Sequence, residues 1–161
     1  MKKRIIAVFT GNRAEYGLQY PILKAIDEHP ELEYRLLVSG AHLDDNFGNT
    51  LEEIKNDGFH IDYEIKIETG KDSKVSTPRA IGSGILSISE ALKEINPDII
   101  RSYNPLMQGW LATKIAKELS LPIIISIHNN YDKDVRDFYK KNKKILQYLK
   151  FVYSEKIIEK Y

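Results

Sequence analysis

The chain has 161 residues, and its 24 Lys and Arg against 23 Asp and Glu give a formal net charge of +1. This length suits a single domain with a substantial core. Because the positive and negative charges nearly balance, the composition gives no electrostatic sign of a nucleic-acid partner. Because there is no cysteine, disulfides, thiolate metal sites and cysteine catalysis are excluded. No run resembles a signal peptide or approaches the roughly 18 apolar residues of a membrane helix, so we predict a cytoplasmic protein.

The first part of the chain alternates between strand and helix patterns. Residues 4–10 predict a first strand, which ends at the Gly11 turn, and residues 18–29 predict a helix with Pro21 in or near its first turn. Three shorter elements follow, namely a strand at residues 32–38, a helix at residues 51–56 and a strand with one buried face at residues 61–67.

The middle of the chain continues the alternation. After a surface loop at residues 68–76, Thr77 and Pro78 predict the cap and first residue of a helix in which Gly82 and Gly84 allow close approach of a neighbour. A fourth strand from residue 98, a helix at residues 106–119 and an apolar strand at residues 122–127 complete the series. The pattern predicts an α/β fold, a Rossmann-like doubly wound parallel sheet with helices on both faces.

Residues 132–161 predict a long amphipathic helix that ends the chain. One side is apolar and comprises Val135, Phe138, Tyr139, Ile145, Leu146, Leu149, Val152 and Tyr153. The other side carries Lys140, Lys141, Lys143, Lys144 and Lys150. We favour a solvated face for these lysines over contact with an anionic membrane surface.

In a doubly wound sheet the functional positions are the loops that leave the carboxyl ends of the strands. Four loops qualify, at residues 11–13, 40–45, 103–105 and 128–132. In the first loop, backbone N–H groups at a helix start and the Arg13 guanidinium suit an anionic ligand. An ordinary turn with a solvated arginine remains the alternative.

Two histidines, His42 and His128, fall in these loops and are candidates for ligand contact, although a loop histidine is more often structural. His42 with Asp44 and Asp45 is too sparse a donor set for a metal, so we predict no metal site. The sequence contains no Walker motif, dinucleotide fingerprint or nucleophile elbow, so we predict no cofactor.

Several sequence blocks, in order, carry a family resemblance. They are Thr10-Gly11-Asn12-Arg13-Ala14-Glu15-Tyr16-Gly17, Ser39-Gly40-Ala41-His42-Leu43, Phe47-Gly48-Asn49-Thr50, Glu53-Ile54 and Asp57-Gly58-Phe59. Over residues 4–100 the chain resembles the amino-terminal domain of hydrolysing UDP-N-acetylglucosamine 2-epimerases, and Leu18 fits the branch that feeds sialic acid and related sugars. The resemblance implies one half of a two-domain GT-B architecture, with the substrate in the cleft. It also implies that Arg13 and His42 belong to loops that face the nucleotide sugar.

Two later loops depart from the epimerase pattern. Ser102-Tyr103-Asn104-Pro105 stands where the family carries a Gly-Asp-Arg loop with a catalytic acid, and His128-Asn129-Asn130-Tyr131 keeps a histidine but lacks the family's glutamate. Residues 97–161 look more similar to the acceptor-side, amino-terminal domain of retaining GT-B glycosyltransferases. In that family a histidine after a strand faces the donor sugar, and His128 would take this place. We therefore assign no catalytic residue.

The predicted domain organisation is a single GT-B-type amino-terminal domain over residues 1–161, without the carboxyl-terminal nucleotide-binding domain. We predict that it handles a UDP-N-acetylglucosamine-like nucleotide sugar, that it is inactive alone, and that a separately encoded carboxyl-terminal half can complete it. The predicted substrate-binding residues are Gly11, Arg13, His42, Asn104 and His128. The alternatives are a glycosyltransferase half and a noncatalytic sugar-nucleotide binding module or remnant.

Overall fold

The computed structural model describes residues 2–44, 48, 50–67, 76–103 and 107–127. It divides the chain into two units, Met1–Ser126 and Ile127–Tyr161, and the fold given below is that of the first unit. Residues 68–75 of the predicted loop (68–76) and the predicted helix at residues 132–161 lie outside the described residues.

The core of the first unit is a parallel sheet. Its strands are β1 (Arg4–Thr10), β2 (Leu32–Ser39), β3 (Tyr63–Ile65), β4 (Ile99–Tyr103) and β5 (Ile123–Ser126). The strands are arranged in the order β3-β2-β1-β4-β5, and each neighbouring pair is parallel. This is the strand order of a Rossmann-like sheet, whose switch point lies between β1 and β4. The predicted doubly wound α/β fold is confirmed.

Among the described residues, four α-helices cover the two faces of the sheet, namely α1 (Arg13–Asp27), α2 (Thr50–Asn56), α3 (Ser76–Ile95) and α4 (Met107–Glu118), and a short 3-10 helix at Gly40–Leu43 follows β2. Strand β1 shows how the faces are separated, because Ile6 and Val8 pack in one core while Ala7 packs in the other. The first core holds side chains of α1 and α2, and the second holds side chains of α3 and α4.

Helix α1 begins five residues before the predicted start, at Arg13. Asn12 caps it by accepting a hydrogen bond from the Glu15 backbone N–H (3.1 Å), and the Glu15 carboxylate accepts one from the Gly11 N–H (3.0 Å). Pro21 therefore lies inside the helix rather than in its first turn, so that prediction was wrong. The first turn was missed because it buries the polar side chain of Glu15, which adds nothing to an apolar periodicity.

The two α3 glycines differ in their surroundings. A Cβ on Gly84 would lie 3.4 Å from the Ile67 Cδ1 atom, whereas none of the described atoms lies within 4 Å of a Cβ on Gly82. The predicted close approach of a neighbour therefore holds for Gly84, and Gly82 is an exposed helical glycine.

Gly82→Ala is expected to raise the free energy of unfolding by about 1 kcal/mol, because alanine loses less backbone entropy in a helix. Chemical denaturation of the two proteins measures this difference. Gly84→Ala serves as the comparison and is expected to gain less, since the Ile67 methyl must move. A loss of stability in Gly82→Ala would contradict the helical environment described for this residue.

Candidate functional site

The loops that follow β1 and β2 are joined at the carboxyl edge of the sheet. Gly40 has a φ of +59°, and a Cβ at this position would lie 2.7 Å from the Gly11 carbonyl oxygen. The Ala41 N–H donates a hydrogen bond to the same oxygen (2.9 Å). Two of the predicted ligand loops therefore form one continuous surface, which we call the β1–β2 edge (residues 10–13 and 39–43).

Arg13 lies at the rim of this edge, and its side chain is 73% exposed. Its Nε lies 3.0 Å from Glu53 Oε2 and its Nη2 lies 3.4 Å from Glu53 Oε1. An exposed ion pair of this kind contributes little to stability. The guanidinium is accessible to an anionic ligand, but that ligand must compete with the Glu53 carboxylate.

Gly11 does not offer a free N–H group to a ligand, because the Glu15 carboxylate already accepts its hydrogen bond. Glu15 itself is only 7% exposed. A carboxylate therefore already occupies the helix start where we expected free donors, and Gly11 shapes the edge through its carbonyl contact with Ala41.

His42 lies beneath the edge and is 1% exposed. Its Nε2 is 3.1 Å from Thr10 Oγ1, and its Nδ1 is 2.7 Å from Thr50 Oγ1, so the ring joins the end of β1 to the start of α2. The ring also lies edge-on to Tyr16, with a centroid distance of 6.1 Å. Since both nitrogens are occupied by hydroxyls, the described contacts give His42 a role in shaping the edge.

Burial lowers the pKa of His42, and the Asn12 backbone and the Glu53 charge oppose this shift. The neutral ring is therefore favoured in the folded protein, with one nitrogen donating a hydrogen bond and the other accepting one.

Tyr16 ties α1 to the end of α2, because its hydroxyl donates to Asp57 Oδ2 at 2.6 Å. Burial and this carboxylate raise the pKa of Tyr16, so the phenol stays protonated. The position of Glu53, the partner of Arg13, on α2 is thereby fixed relative to α1.

A second polar group lies at the switch point and was missed by the sequence interpretation. Arg101 is 5% exposed in β4, and its Nη1 donates to Gln19 Oε1 (2.7 Å) while its Nη2 donates to Ser126 Oγ (2.9 Å). Gln19 in turn donates to the Phe9 carbonyl oxygen (2.9 Å). Burial lowers the pKa of Arg101. The sequence signal was a single arginine directly after the two isoleucines that begin β4.

The other face of the sheet holds a cavity of about 200 Å³ beneath α3. Its lining is mostly apolar, as at Phe9, Ile67 and Ile88, and its polar residues are Arg101 and Ser102. Because the rest of this lining is apolar, the polar β1–β2 edge remains the better candidate for a nucleotide-sugar contact.

The remaining predicted ligand residues, Asn104 and His128, lie outside the described residues. In the part of the chain that the structure covers, no three His, Asp or Glu side chains come together as possible metal ligands. Within the same part, no helix combines the length and apolar character needed to cross a bilayer.

Comparison with known proteins shows that the sequence is similar to one family. Residues 24–103 match the family model for UDP-N-acetylglucosamine 2-epimerase. Over these residues the chain is similar to the UDP-N-acetylglucosamine 2-epimerase family. The predicted resemblance over residues 4–100 is confirmed, and the chain is homologous to epimerases of the hydrolysing type. The glycosyltransferase resemblance of residues 97–161 stays a prediction.

Two curated relatives illustrate the extent of this similarity. The UDP-N,N'-diacetylbacillosamine 2-epimerase (hydrolyzing) of Legionella pneumophila is 32% identical over 124 residues, which cover 77% of this chain and 33% of the relative. The polysialic acid biosynthesis protein P7 of Escherichia coli is 26% identical, over 98% of this chain and 41% of the relative. The chain thus spans less than half of the length of each of these two relatives.

A solved structure shows the same fold. The UDP-GlcNAc 2-epimerase from Neisseria meningitidis, in a structure with bound UDP-GlcNAc, matches with a TM-score of 0.58 and 17% identity. The match covers 76% of this chain and 31% of the other. At this identity the likeness supports a shared fold, and the similarity to the family depends on the sequence matches.

Proposed function

We propose that this chain supplies one wall of a UDP-sugar site in a protein of the hydrolysing 2-epimerase type. The observation that carries the proposal is the β1–β2 edge, where Gly11 and Ala41 are hydrogen-bonded and Arg13 is exposed, in a chain similar to this family. A UDP-linked 2-acetamido sugar is the proposed ligand class, because relatives and neighbours are named for UDP-N,N'-diacetylbacillosamine and UDP-GlcNAc.

In this proposal Arg13 leaves Glu53 and contacts the diphosphate as a planar donor. His42 holds the edge in shape through Thr10 and Thr50. Asn104 and His128, which follow β4 and β5 in the sequence, remain proposed substrate-binding residues. The opposite wall belongs to a carboxyl-terminal GT-B half, which is a proposed partner, and the location is proposed to be cytoplasmic.

A second candidate function is sugar-nucleotide binding without turnover. It is favoured by the sequence from Ile99 to Leu106, which contains no acidic residue in the place where the epimerase resemblance implies a catalytic acid. Release of UDP and N-acetylmannosamine from UDP-N-acetylglucosamine would favour the epimerase function, and saturable binding without product would favour the binding module.

Isothermal titration of the chain with UDP-N-acetylglucosamine tests the site directly. Saturable binding is expected, and Arg13→Ala is expected to weaken it roughly tenfold by removing a charge-assisted hydrogen bond. No heat of binding for the unaltered chain, or unchanged affinity in Arg13→Ala, would contradict the proposed role of this edge.

Glu53→Gln is expected to strengthen binding by about threefold, because Arg13 then no longer exchanges a carboxylate partner for the ligand. Glu52→Gln is the matched control, since Glu52 pairs with Lys55 on the same helix and does not contact Arg13 in the described structure. Titration of both variants is the measurement. Equal affinities in the two would show that Glu53 does not compete for Arg13.

A further inference from the structure

Arg101 carries a buried charge whose hydrogen-bond partners among the described residues are neutral. Its guanidinium donates to the Gln19 amide oxygen and the Ser126 hydroxyl, and no carboxylate among the described residues lies within 4.0 Å of it as an ion-pair partner. Buried arginines are ordinarily paired with an anion, because an unpaired charge loses its hydration without compensation. Among the described residues, these two bonds use only part of the donor capacity of the guanidinium.

The position of Arg101 in the fold points to a ligand. Its Cα is in register with that of Val8 in β1. Arg101 therefore lies on β4 where this strand pairs with β1, and the strand order reverses between these two strands. In open α/β sheets this switch point is where a crevice opens at the carboxyl ends of the strands. Gln19, which is 0% exposed and fixed by the Phe9 carbonyl oxygen, holds the guanidinium in one orientation.

We propose that Arg101 is a phosphate-binding residue at the β1–β4 switch point, with its fork oriented by Gln19 and Ser126. It is separate from Arg13, which lies exposed at the rim beside Glu53. The proposal deepens the proposed function, since the phosphate would be that of the nucleotide sugar, and it assigns a ligand contact to a residue of β4 itself. A buried guanidinium would bind a phosphate where little water is present, and charge-assisted hydrogen bonds are strong in such an environment.

The test measures thermal unfolding of the whole chain with and without pyrophosphate, and separately with UDP-N-acetylglucosamine. Arg101→Met keeps the approximate length of the side chain and removes the charge, and Arg101→Lys keeps the charge and removes the planar fork. Arg35→Met is the matched control, because Arg35 is an arginine of the neighbouring strand β2 that pairs with Glu33 and Asp62.

We expect pyrophosphate to raise the Tm of the unaltered chain and of Arg35→Met, and to leave that of Arg101→Met unchanged. Arg101→Lys is expected to bind pyrophosphate at least roughly tenfold more weakly than the unaltered chain. Without pyrophosphate, Arg101→Met is expected to be at least as stable as the unaltered chain, because it buries no charge.

An equal pyrophosphate response in Arg101→Met, or none in the unaltered chain, overturns the inference. If Arg101→Met does not fold, Arg101→Lys decides, and a response equal to that of the unaltered chain overturns the inference. Stabilisation by UDP-N-acetylglucosamine that persists in the Arg101 variants removes Arg101 from the site and leaves the proposed function intact. Absence of any response to UDP-N-acetylglucosamine, with pyrophosphate still bound through Arg101, rejects the proposed function and retains the phosphate site.

Discussion

Gly40→Ala is expected to destabilise the first unit by roughly 3 kcal/mol, which combines left-handed strain with a steric clash. The φ of +59° disfavours any residue with a Cβ, and the new Cβ would lie 2.7 Å from the Gly11 carbonyl oxygen. That oxygen belongs to the backbone and is held by the Ala41 N–H, so neither side can move without opening the β1–β2 edge. Urea denaturation of the two proteins measures the loss.

Gly58→Ala separates the two contributions. Gly58 also has a positive φ, of +85°, but none of the described atoms lies within 4 Å of a Cβ placed there. The Gly58→Ala substitution should therefore lower the free energy of unfolding only through backbone strain, by roughly 1 kcal/mol. If both variants lose the same stability, the Gly11–Gly40 contact does not constrain the edge.

Acidification from pH 7 to pH 5 is expected to destabilise the folded chain through His42. Burial lowers the pKa of His42 in the folded state, so the unfolded chain binds a proton first as the pH falls below about 6.5. The contribution of His42 to stability is therefore fully present above the pKa of the unfolded chain, and it falls with pH until the pKa of the folded state is reached. Each unit by which folding lowers the pKa of His42 corresponds to about 1.4 kcal/mol in the free energy of unfolding.

The pH dependence is measured by denaturation of the unaltered chain and of His42→Gln at several pH values. His42→Gln is expected to lose about 2 kcal/mol at pH 7, because Thr10 and Thr50 lose good partners, and to show a smaller further loss at pH 5. His60→Gln, at an exposed position away from these threonines, is the control for a general histidine effect. The same pH slope in His42→Gln and the unaltered chain would contradict the assignment.

The sheet could be predicted from the sequence because its strands carry their own signals. The structure has a strand at the apolar run of β1, and another within the alternating segment that includes Tyr63 and Ile65. The start of α1 could not be found in this way, since its first turns are stabilised by Asn12 and Glu15, whose capping bonds have no apolar period.

The candidate site was predictable only at the level of loops. The topology rule placed Gly11 and Gly40 at one edge, and the structure joins them. The pairing of Arg101 with Gln19, 82 residues apart, could not be read from local patterns. The same holds for Arg13 with Glu53, because an exposed ion pair between two helices follows from packing and leaves no periodic trace in the sequence.

Amide NMR of the ¹⁵N-labelled chain during titration with UDP-N-acetylglucosamine tests whether the carboxyl edge of this sheet binds a UDP-sugar, as we propose. We predict saturable shifts at the amides of Gly11, Arg13 and Ala41, with none at Lys3 or His60, which line a pocket elsewhere on the first unit. Shifts confined to Lys3 and His60, or no shifts at saturating ligand, would contradict this proposal.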